Sequence, residues 1–73
     1  MKVYGKHCLV DTDQVALYIA RDQENIYEVL YKTYGNSGYG TIFSGSRKRC
    51  QEIMDFIVEA ERDAEKVVVL PNQ

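Results

Sequence analysis

Apolar residues change their period once along this chain. Between Val3 and Phe43 they lie in short runs whose alternate residues divide into two faces; from Cys50 to Ala64 they recur every three or four positions, before a last apolar run at Val67 to Leu70. Alternation is the signature of a half-buried strand, and the 3–4 spacing that of an amphipathic helix. Val3 to Val10 reads as a first strand, with Tyr4, Cys8 and Val10 on one face and Val3, His7 and Leu9 on the other. Asp11-Thr12-Asp13 is a turn signal, because Asx side chains bond their own backbone two residues on. Gln14 to Arg21 reads as a second strand, placing Val15, Leu17 and Ile19 opposite Ala16, Tyr18 and Ala20. A helix over Asp13 to Arg21, capped by Thr12 or Asp13, is the competing reading.

Arg21 to Asn25 is a polar loop, and Ile26 to Tyr34 is the clearest strand, with Tyr27, Val29, Tyr31 and Thr33 on one face. Gly35-Asn36-Ser37-Gly38 predicts a hairpin into a returning strand, Tyr39 to Phe43. Ser44-Gly45-Ser46 turns the chain into the long helix that ends near Ala64. Cys50, Ile53, Met54, Ile57, Ala60 and Ala64 share one helix face, flanked by Phe56 and Val58. Lys48, Glu52, Asp55, Glu59 and Asp63 line the opposite face. Val67 to Leu70 is a final short strand stopped by Pro71.

The expected fold is therefore α+β: an antiparallel meander of about four strands, covered on one face by a single long helix, with a short C-terminal strand. The 73 residues make one domain. No repeat or low-complexity segment interrupts it. The other sheet face is left open, and the tyrosines Tyr18, Tyr27, Tyr31 and Tyr39 are the candidates to occupy it. Tyrosine tolerates a half-wet position because its ring packs while its hydroxyl meets water or a partner. A core this small is marginal alone. Self-association as a homodimer, through the tyrosine-bearing face or through Val67 to Leu70 as an exposed edge, is the expected supplement.

Charge and chemistry narrow the function. A net charge of −2 argues against a general nucleic-acid binder, which carries a basic footprint. No signal-peptide pattern opens the chain and no apolar run reaches membrane-span length. The expectation is a stand-alone cytoplasmic protein that does not engage a membrane. Cys8 and Cys50 read as small buried hydrophobes of a reducing compartment. With one histidine and no CxxC there is no metal-ligand pattern, and no cofactor motif is present; GYGTIFSGS lacks the ending of a phosphate loop. His7 and Cys8, as neighbours on a strand, point to opposite faces and form no dyad. The chain is not expected to be an enzyme.

Two charged stretches break ordinary rules. Arg47, Lys48 and Arg49 sit in the first helical turn, where the helix dipole disfavours cations. One reading is solvated side chains paired along the helix, such as Lys48 with Glu52. The other is a binding site for an anion or partner made by Ser44, Gly45, Ser46, Arg47, Lys48 and Arg49. Glu52, Asp55, Glu59 and Asp63 climb about 4.5–6 Å per step, a regular acidic stripe. The leading expectation is a non-enzymatic interaction protein that binds a protein or protein complex, working as a homodimer. One alternative is a phage-type inhibitor that lays its acidic face into a basic groove of a nucleic-acid-processing or host-defence complex. Another is a nucleic-acid or phosphate-ligand binder that uses the basic helix start and tyrosine stacking.

Overall fold

The computed structural model describes residues 1–6, 8–35 and 38–70. His7, Pro71 and the Asn36-Ser37 middle of the expected Gly35 to Gly38 turn lie outside these residues. The elements run β1 (Lys2–Tyr4), β2 (Leu9–Asp11), β3 (Val15–Gln23), β4 (Ile26–Thr33), β5 (Tyr39–Gly45), α1 (Arg47–Arg62) and β6 (Val67–Val69). The class is α+β with one helix, as the change of period implies. The antiparallel meander holds three strands, in the order β3-β4-β5; the remaining three form a second sheet, β2-β1-β6.

The expected first strand, Val3 to Val10, is two strands. β1 and β2 pair antiparallel, with Val3 opposite Val10 and Tyr4 opposite Leu9, and the Gly5 N–H donates to the Cys8 carbonyl at 2.9 Å. Glycine is required at the head of this hairpin because space is lacking: a Cβ would lie 2.9 Å from Cys8 Sγ and 3.4 Å from the Ile42 carbonyl oxygen. The split changes the faces. Val3 and Val10 both turn inward and are buried, while Tyr4 and Leu9 both turn outward. β6 then pairs parallel to β1, bringing Val68 beside Val3.

β3 is a strand, not a helix, and it is longer than its alternation suggested. It continues through Gln23, with a register shift between Arg21 and Gln23, and reverses at Glu24-Asn25. Asn25 has φ 65°, a left-handed conformation that asparagine tolerates better than most residues. A second irregularity lies in β5, where Val29 pairs with Phe43 but Leu30 with Thr41. The extra residue is a bulge, and it lets both Ile42 and Phe43 join the core cluster.

α1 lies across β4 and β5. Its buried residues are Cys50, Ile53 and Ile57, with Met54 and Ala60 half-buried beside them. The same core takes Val3, Val10, Val68 and Leu70 from the small sheet side, and Val15, Val29 and Ile42 from the meander. One hydrophobic cluster therefore serves both sheets. Ala64 does not continue the helix face. It sits just past the C-cap Asp63 with φ 58°. The Ala64 N–H bonds the Glu61 carbonyl and the Glu65 N–H the Ala60 carbonyl, the paired bonds of a Schellman stop.

Candidate interaction surfaces

The basic helix start divides among several tasks instead of converging. Ser46 is the cap: in extended geometry, its Oγ accepts the Arg49 N–H at 3.1 Å, so the first turn has a satisfied donor. Ser44 faces the other way, opposite Glu28 on the uncovered side of the meander. Gly45 ends β5 without a left-handed φ. What requires glycine there is the Phe43 ring, which a Cβ would meet at 2.9 Å.

Arg49 is already engaged. Its Nη1 donates to Glu52 Oε1 at 2.8 Å, and its guanidinium carbon lies 5.9 Å from the Phe43 ring centre. Arg49, not Lys48, is thus the partner of Glu52, and Lys48 is exposed. Arg47 leans toward β3, lining a cleft with Ile19, Arg21, Tyr27 and Gln51. The six residues from Ser44 to Arg49 do not form one constellation.

The tyrosines also separate. Tyr27 and Tyr31 share the face of Val29, which is fully buried under the helix, and both pack half-buried against the core. They are not on the open face. The expectation failed because alternation groups residues by face without saying which face the helix will cover, and Val29 decides it. Tyr18 and Tyr39 do stand on the uncovered side and are exposed. Register sets Tyr18 beside Leu30 and Leu30 beside Thr41, with Tyr39 next to Lys32 one row away. Glu28 accepts the Thr41 hydroxyl there at 2.6 Å.

The acidic stripe is exposed along its length, but its members differ in what they touch. Glu52 is held by Arg49, and Asp55 accepts the Gln51 amide at 2.9 Å. Glu59 and Asp63 line a groove of about 340 Å³ between α1 and β6, together with Phe56, Ala60, Glu65 and Val67 to Val69.

One surface was not foreseen from the sequence. On the outer side of the small sheet, Tyr4 lies between Leu9 and Val69, and Lys2 between Asp11 and Val67. Leu9 is 51% exposed and Val69 70% exposed, with Tyr4 and Val67 in the same state. Four apolar side chains thus stand together with one charge of each sign at the margin. The available signal was Gly5: a hairpin there, and not a continuous strand, puts Tyr4 and Leu9 side by side.

Asp11 and Cys50 are shifted by their structural surroundings. The Asp13 N–H donates to Asp11 Oδ1 at 3.0 Å, and the Met1 amino group lies 3.6 Å from the same oxygen. The backbone bond first, and the amino charge second, hold the Asp11 carboxyl below its ordinary range. Burial pushes the Cys50 thiol up, which keeps it protonated and disfavours nucleophilic chemistry. Cys8 and Cys50 are both free. Among the described residues, no group of His, Cys, Asp and Glu is placed to hold a metal ion, and no helix is long and apolar enough to cross a membrane. Comparison of the chain with protein-family models, with curated proteins and with solved structures finds no match.

Proposed function

We propose that the chain is a small non-enzymatic interaction protein that binds another protein through the outer face of its N-terminal sheet. One observation carries this reading: Tyr4, Leu9, Val67 and Val69 stand exposed side by side on that face. Contiguous apolar patches are uncommon on monomeric surfaces and concentrate at contact sites. Tyr4 supplies an aromatic anchor, and Lys2 and Asp11 supply the polar margin that interfaces keep at their rims. The balanced charges favour a protein surface over a polyanion, which would draw on several cations.

The test is site-specific photo-crosslinking in an extract of the native source, with a photoreactive residue at Leu9, at Val69 or, as the control, at Lys48. The reading expects the same discrete adduct from Leu9 and Val69 and none from Lys48. Adducts that are absent from Leu9 and Val69, or equal at all three positions, overturn it.

A further inference from the structure

We infer that a second copy of this chain pairs antiparallel along the free edge of β3, with Tyr18 on the twofold axis. β3 is an edge strand of nine residues. The Tyr34 N–H donates to the Gln14 carbonyl, so in the antiparallel ladder the backbone groups of Ala16, Tyr18 and Ala20 point toward β4. Those of Leu17, Ile19 and Arg21 then point away from the sheet. Long edges of this kind are normally shortened, twisted or charged to prevent pairing. This one stays regular from Val15 to Arg21.

The residues around that edge complement themselves. With Tyr18 opposite its own copy, Leu17 falls opposite Ile19 of the partner subunit, so the outward backbone groups meet as hydrogen-bonded pairs. On the uncovered face the order Ala16, Tyr18, Ala20 is symmetric about its centre, and two tyrosine rings gain small neighbours on both sides. On the helix side, α1 sits over β4 and β5, which leaves Leu17 and Ile19 only half-buried. Pairing covers both.

Charge selects the same arrangement. The cleft at the far end of β3 carries Arg21 and Arg47 with no acidic residue in its lining. The cleft at the near end, between Val15 and Val58, carries Glu61 with no basic residue. A twofold antiparallel pairing brings opposite ends together, so Arg21 of each copy approaches Glu61 of the other. Such complementarity fixes register more than it adds affinity. The edge Val67 to Leu70, the sequence-based candidate, has only three strand residues.

Sedimentation equilibrium of the full chain tests this, together with two sets of variants checked for folding by circular dichroism. The wild type should dimerise with a dissociation constant on the order of micromolar. Arg21→Glu should weaken the dimer roughly tenfold, and Arg21→Glu/Glu61→Arg should restore it. Tyr18→Cys should form an interchain disulfide on mild oxidation, because facing residues of a non-hydrogen-bonded antiparallel pair have Cα atoms about 4.5 Å apart. Tyr39→Cys, on the same face and more exposed, should not. The inference is overturned by a wild type that stays monomeric at about a hundred times that concentration. It is also overturned by a dimer indifferent to charge reversal, by a folded double variant that stays weak, or by Tyr18→Cys cross-linking no faster than Tyr39→Cys.

Discussion

The Tyr31 ring lies over Gly40: a Cβ added to Gly40 would sit 2.7 Å from the tyrosine oxygen and 2.8 Å from two ring carbons. The two residues are cross-strand partners on the helix-covered face. A glycine in a strand costs backbone entropy and offers no packing; here the ring fills the space a side chain would have taken. Gly40→Ala should therefore destabilise the domain by about 1–3 kcal/mol, the usual cost of overpacking. In the Tyr31→Ala background the same change should cost less. Urea denaturation of the four proteins checks this, and equal costs in both backgrounds would contradict the contact.

Ile57 is 3% exposed in the centre of the shared core. Ile57→Ala should cost about 2–5 kcal/mol through reduced burial and the cavity left behind. Glu59→Ala, two positions along on the exposed face, should change stability by less than about 0.5 kcal/mol. Chemical denaturation separates them, and similar costs would mean that the helix presents a different face.

Arg47 and Arg49, both in the first turn, should behave differently from each other. Arg47→Gln removes a cation from the positive end of the helix dipole and should leave stability equal or raise it by about 0.3–1 kcal/mol. Arg49→Gln loses the Glu52 ion pair and the Phe43 contact, which offsets that gain. Ser46→Ala should cost about 0.5–2 kcal/mol by removing the cap, while Ser44→Ala should be near neutral. Thermal melts at low salt resolve the set; equal effects of Ser44→Ala and Ser46→Ala would displace the cap.

Asp11 sets part of the acid limb of stability. Its carboxyl titrates below its ordinary range in the folded chain, chiefly through the Asp13 N–H and then through the Met1 amino group. A lowered folded pKa contributes stability above the unfolded value of about 3.9, and that contribution is lost as pH falls through the folded value. Asp11→Ala should therefore be less stable than the wild type at neutral pH and should approach it as pH falls below the ordinary carboxylate range. A constant gap across that range would assign the effect to packing alone.

The fold class was legible in the sequence because the change of period at Cys50 is unambiguous, and Cys50, Ile53 and Ile57 are the buried helix residues. The acidic helix face was legible for the same reason, whereas the sequence left Ser44 and Ser46 as equal candidates for the cap and the structure selects Ser46. What was not legible depended on tertiary pairing. Within Val3–Val10 the one local signal of a turn is Gly5 and the polar residues that follow it, and reading the segment as a continuous strand passed over that break. Nothing local to Val67–Val69 says that it pairs with β1. The facing of Tyr27 and Tyr31 followed from the helix seat over β4 and β5, which no strand encodes by itself. Arg49 was grouped with Arg47 by position, yet Phe43 and Glu52 draw it aside.

The central claim is that the outer face of the small sheet binds a protein partner, and calorimetric titration of the cross-linked partner, once identified, tests it most directly. The protein compared with the wild type is Leu9→Asp/Val69→Asp. Both side chains are exposed, so the melting temperature should stay close to that of the wild type. Replacing the two apolar side chains that flank Tyr4 with carboxylates should weaken binding by roughly a hundredfold or more. An affinity unchanged within about twofold, in a variant that melts like the wild type, would contradict the assignment of this face as the binding site.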